Sequence, residues 1–138
     1  MKKFLLLLLP LFIFGCKKKS EINLEDLSGY WQIEKVALSD GTEKDFGLST
    51  TIDFIKINGD TVGIRKKVAP KLDGTFTTSK SAETFSIKKE NDSLHLYYKT
   101  PYNSWKETIL HVKDSSLVVF NKDKIKYTYK RFKNFTFE

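Results

Sequence analysis

A single cysteine, Cys16, stands in 138 residues, so no intrachain disulfide can form and no second thiol exists for a thiolate zinc or redox site. Arginine is almost as scarce. Of 24 basic residues only Arg65 and Arg131 are Arg, and the lysines are scattered rather than clustered. Readers of nucleic acid lean on the guanidinium fork for paired contacts to bases and phosphates, so this balance argues against nucleic-acid binding despite a net charge of +7. The two histidines, His95 and His111, each alternate with apolar neighbours, and no spacing joins them to carboxylates as a metal set. No serine sits in a nucleophile elbow and no phosphate loop is present. The paired acids Glu25 and Asp26 lie in a polar stretch where nothing would desolvate them. The expectation is a chain with no catalytic residues, no metal and no cofactor. Beyond residue 20 there is also no apolar stripe of helical period over ten residues or more, which excludes a helical bundle.

Near the start is one long apolar run. Phe4 to Phe14 carries no charge and follows Lys2 and Lys3. As a helix it would span roughly 16 Å, against about 30 Å for a bilayer core, so it suits a signal peptide rather than a membrane span. Ile13-Phe14-Gly15-Cys16 resembles the lipobox of bacterial lipoproteins, with a small residue before the cut and a thiol to receive lipid. The expectation is a signal peptide over residues 1–15, and Cys16 acylated with palmitate-type chains as a membrane anchor. Lys17 to Lys19 would then sit at the headgroups and attract anionic lipid, or serve as a solvated spacer. The basic residues in that place lean toward the cell envelope, on the periplasmic side of the outer membrane. Residues 16–28 read as a polar tether, with one short turn at Leu24–Leu27.

The body, residues 29–135, reads as one all-β domain. Strand-like runs lie at 30–38, 51–57, 61–68, 74–79, 83–89, 93–100, 104–112, 116–121 and 124–132, separated by turn residues such as Asn58-Gly59-Asp60 and Glu90-Asn91-Asp92. Phe85 and Ile87 alternate with polar neighbours, as do Leu94, Leu96 and Tyr98, and Ile125, Tyr127, Tyr129 and Arg131. Consecutive strands joined by short turns, each with one apolar face, predict an antiparallel up-and-down barrel of about eight strands. Closure removes exposed sheet edges. A sandwich is the alternative.

Leu27-Ser28-Gly29-Tyr30-Trp31-Gln32-Ile33, with Thr51-Ile52-Asp53-Phe54, Asn58-Gly59-Asp60 and the closing Tyr127-Thr128-Tyr129-Lys130-Arg131-Phe132, resembles the lipocalin-like domain common in Bacteroidetes lipoproteins. The resemblance covers roughly residues 27–133. It implies a barrel floor built on Gly29 and Trp31 and covered by Arg131, and a mouth that takes a small hydrophobic ligand. The second lipocalin motif, a Thr-Asp-x-x-Asn-Tyr type turn, is absent. Tyr97, Tyr98, Tyr102 and Trp105 surround one hairpin and are the candidates for a ligand mouth. The alternative is an interaction or scaffold protein with a filled barrel, using the same aromatics as a partner surface. Asp60-Thr61-Val62 and Asp92-Ser93-Leu94 resemble the O-glycosylation sequon of Bacteroidetes, which marks Thr61 and Ser93 as modification candidates.

Overall fold

The computed structural model describes residue 15 and residues 21–134. Residues 1–14 of the expected signal peptide over 1–15, together with Cys16 and Lys17 to Lys19, lie outside the described residues. A short 3-10 helix, Leu24–Leu27, leads into ten strands: β1 Gly29–Ala37, β2 Glu43–Asp45, β3 Ile52–Asn58, β4 Val62–Pro70, β5 Phe76–Thr78, β6 Glu83–Glu90, β7 Ser93–Lys99, β8 Ser104–Lys113, β9 Ser116–Asn121 and β10 Lys126–Arg131. Eight of them close an antiparallel barrel in the order β1-β3-β4-β6-β7-β8-β9-β10, and β10 pairs back onto β1.

Strand direction gives the barrel two unlike ends. The lower end carries the helical turn, the start of β1 and the tight β3–β4, β6–β7 and β8–β9 turns. In the β6–β7 turn both Asn91 and Asp92 take positive φ, the geometry that matches the twist of a two-residue hairpin. The upper end carries the β1–β2, β2–β3, β7–β8 and β9–β10 connections. The two extra strands extend the wall: β2 pairs with the far half of β1, and β5 pairs with the far half of β4. Phe76 of β5 stacks on Tyr30 at 4.3 Å between ring centroids, and Tyr30 also meets Phe54. Tyr30 alternates with the inward Trp31, so the β4–β5 hairpin covers an aromatic patch on the outer wall.

Two bulges set which side chains face inward. At Glu34 the register between β1 and β10 slips, so that Ile33 opposes Tyr129 and Val36 opposes Tyr127. At Leu110 a second slip lets Ile109 and Val112 both face the core, opposite Val119 and Leu117. An extra residue on one strand of each pair keeps an apolar row inward past the point where plain alternation would turn it out. The core fills the lower half with Leu27, Trp31, Ile55, Phe85, Ile87, Leu96, Ile109, Val112, Leu117 and Val119. Gly63 is part of that packing, because a Cβ there would collide with the ring of Phe85.

The segment expected as a polar tether is divided. Residues 24–28 are part of the domain: Leu27 is fully buried, Ile22 and Leu24 pack against the core, and the turn plugs the lower end. The reason is local, since Asn23 caps the turn through the Glu25 amide and aims Leu27 inward.

Candidate functional site

The lower end is latched shut. Trp31 is 0% exposed, and its indole N–H donates to the carbonyl of Leu27 at 2.9 Å. The Arg131 guanidinium lies over the Trp31 ring, 4.2 Å from its centroid. It also donates to three backbone carbonyls: Asp26 at 2.7 Å, Ser28 at 2.9 Å, and Asp114. One side chain thus ties the helical turn, the start of β1 and the β8–β9 turn together. Gly29 makes this possible. Its φ is +133°, and a Cβ there would run into the guanidinium.

Above Trp31 the interior changes character. Arg65 of β4 crosses the barrel and donates to Asp53 of β3 at 3.1 Å and to the Tyr129 hydroxyl of β10 at 3.2 Å. Its other amino group reaches Glu107 of β8 at 3.4 Å and the Tyr98 hydroxyl of β7 at 3.5 Å. Lys67 lies 2.6 Å from the second Asp53 oxygen. Asp53 and Glu107 are buried polar residues, and Arg65 Nε is buried with no hydrogen-bond partner among the described residues. Burial alone would lower the Arg65 pKa, but the surrounding Tyr129, Tyr98, Asp53 and Glu107 outweigh it and push it well above the usual value. Burial raises Glu107, and Arg65 opposes part of that rise. Burial likewise pushes the Tyr129 hydroxyl up to about 12.

This charged layer separates two spaces. Below it, among Leu27, Ile55, Leu96, Ile109 and Val119, is a void of about 10 Å³, room for about one water. Above it is a cup of about 360 Å³, walled by Ile33, Val36, Phe46, Trp105 and Tyr127, with Lys67 and Glu83 at its side. That volume is in the range of small-molecule sites. Trp105 stacks on Tyr98 at 4.8 Å and nearly parallel, which fixes an aromatic face against the cup.

Comparison with known proteins agrees with this architecture. The family model of the lipocalin-like domain matches residues 27–119. The chain belongs to the lipocalin-like domain family. Among solved structures it is similar to a lipocalin-like protein from Bacteroides uniformis, at 15% identity and a TM-score of 0.49, over 78% of this chain and 99% of that one. It is also similar to an uncharacterized protein from Bacteroides eggerthii, at 10% identity and 0.46, over 76% and 98%. Lobster apocrustacyanin A1 matches at 11% identity and 0.47, over 83% and 65%. No curated protein matches. Lipocalin-like barrels often bind small hydrophobic molecules, and the family is one of binding proteins rather than enzymes.

In this lipocalin-like domain the four aromatics expected at the mouth separate. Trp105 lines the cup, and Tyr98 is buried beneath it in the Arg65 network. Tyr97 alternates with both Leu96 and Tyr98, faces outward, and donates to Glu90 at 2.9 Å between Lys88 and Lys106. Tyr102 is 97% exposed on the β7–β8 loop and lines neither space. Thr61 is exposed in the β3–β4 turn and Ser93 is half-buried after the β6–β7 turn, both at the lower end. His95 meets Thr108 at 2.8 Å on the outer face. Sequence reasoning missed Asp53, Arg65 and Glu107 as a set. The signal was present: each interrupts an apolar or small row at every second residue, Asp53 with Ile55, Gly63 with Arg65, and Trp105 and Ile109 around Glu107.

Proposed function

We propose that this chain is a lipid-anchored lipoprotein of the cell envelope whose barrel holds a small hydrophobic molecule in its upper cup. The 360 Å³ cup carries the reading. A barrel of eight strands is just wide enough for side chains to fill, and the lower half is so filled, yet the upper half is left open between aromatic and aliphatic walls. A fully packed scaffold would have no such space.

The anchor reading rests on the apolar run, Gly15 and the sole cysteine, Cys16. Residues 17–23 would link it to the helical turn at the lower end, a reach of at most about 25 Å at about 3.5 Å per residue. The latched floor then faces the membrane and the mouth faces away, so the ligand exchanges with the aqueous compartment or a partner across it. The membrane is the outer one, on its periplasmic side. Thr61 is the better placed of the two O-glycosylation candidates, because its turn is exposed.

Two measurements test this. Labelled palmitate should enter the wild type and not a Cys16→Ser form. Native mass spectrometry of the 17–138 form from its own host should show a bound small molecule that a cup-filling Val36→Trp form lacks. A wild type that carries nothing and takes up no added apolar molecule contradicts the binding function.

A further inference from the structure

We infer that the cup takes an amphiphile with an uncharged or cationic hydrogen-bonding head, seated head-down on the Asp53–Arg65–Glu107 layer, and that it discriminates against an anionic head. The inference rests on the proposed binding function and adds the chemical class of the ligand.

The walls and the floor of the cup are chemically opposite. Ile33, Val36, Phe46 and Trp105 offer apolar surface toward the mouth, whereas the floor is ionic. An apolar tail pressed onto that floor would strip water from charges and give nothing back, so the polar end belongs there. The sign of the head follows from the partners already present. The acidic and basic side chains lining the cup, other than its tyrosines, are the carboxylates Asp53, Glu83 and Glu107 against the cations Arg65 and Lys67. Both Arg65 amino groups are engaged by Asp53, Glu107 and two tyrosine hydroxyls, and its Nε is buried out of reach. Lys67, 62% exposed, is held by Asp53 at 2.6 Å. A carboxylate or phosphate head would therefore meet three carboxylates against two cations, each of those cations already paired with a carboxylate. A hydroxyl or amide can donate to a carboxylate oxygen of the floor, and an ammonium can do so while also offsetting the surplus charge. Leaving a like charge unpaired in a half-enclosed site is how a binding site rejects the wrong ligand.

The test is calorimetric titration of the full-length protein lacking only its lipid (Cys16→Ser) with three ten-carbon probes at neutral pH: decylamine, decanol and decanoate. Decylamine and decanol should bind at least about tenfold more tightly than decanoate. Glu83→Lys, at the cross-strand neighbour of Arg65 on β6 but outside its hydrogen bonds, should reverse the order of amine and carboxylate by about the same factor. Decanoate binding as tightly as the other two in the wild type, or an order unmoved by Glu83→Lys, overturns the inference while leaving the cup a binding site. Failure of all three probes together with a neutral apolar fluorophore overturns the binding function itself, and the inference with it.

Discussion

The two halves of the barrel solve different problems with the same strands. The lower half is filled: Trp31 is wholly buried, its N–H is satisfied by Leu27, and Arg131 seals it by bonding backbone carbonyls at the surface. The upper half carries its arginine inside. Arg65 holds together side chains from β3, β7, β8 and β10 above which the interior stays open. One arginine latches the floor from outside and the other supports a cup from within. On the proposed binding function, stability and binding fall at opposite ends, so that a ligand would enter without opening the core.

Substitutions can break that division. Arg65→Met should be among the most damaging changes, costing about 3–5 kcal/mol, because it strands Glu107 as a buried charge and leaves Asp53 only Lys67. Trp31→Ala should cost a similar amount, about 3–5 kcal/mol, for the opposite reason: it leaves a cavity in a filled core. Chemical denaturation distinguishes the two by pH. The Arg65→Met deficit should shrink in acid, where these carboxylates take up protons, while the Trp31→Ala deficit stays. Arg131→Met should cost less, about 1–3 kcal/mol, since its stack on Trp31 contributes about 0.5–2 kcal/mol and the carbonyls it leaves can turn to water. Thermal melting at neutral pH checks this.

Tyr129→Phe should cost about 1 kcal/mol and has a sharper readout. The Tyr129 hydroxyl is pushed up from 10.0 to about 12 in the fold, so its contribution is full below pH 10 and is lost as pH rises toward 12. Ultraviolet titration of tyrosinate should show one late-ionising phenol fewer in Tyr129→Phe than in the wild type, with the buried Tyr98 still late in both, and the variant should lose less stability across that window. Trp105→Ala should cost less than Trp31→Ala, about 1–2 kcal/mol at a partly buried site stacked on Tyr98, yet it should weaken ligand binding most among the cup walls. Equal losses of stability at Trp105 and Trp31 would erase the distinction between the halves.

Much of the fold was legible because strands write their burial in every second residue. The runs at 83–89, 93–100 and 116–121 fall on β6, β7 and β9 nearly to the residue, and the helical turn at Leu24–Leu27 is where the chain indicated. Strand β2 was not legible: Glu43, Lys44 and Asp45 are all exposed and have no apolar face, and pairing with β1 alone makes them a strand. The bulges at Glu34 and Leu110 were hidden for a related reason, since a register slip belongs to two strands at once. At the candidate site, Tyr97 and Tyr98 share one hairpin in the sequence, but neighbours on a strand point to opposite faces. The charged layer needed the closed barrel to become visible, because only closure brings Asp53, Arg65 and Glu107 across the interior to one another.

The central claim is that the upper half is an open site and the lower half is not. Titration with N-phenyl-1-naphthylamine, a neutral apolar fluorophore, tests it most directly when the wild type is compared with Val36→Trp. The account predicts one saturable site per chain in the wild type, weakened at least about tenfold in Val36→Trp while the melting temperature holds. Equal binding by both proteins would contradict it.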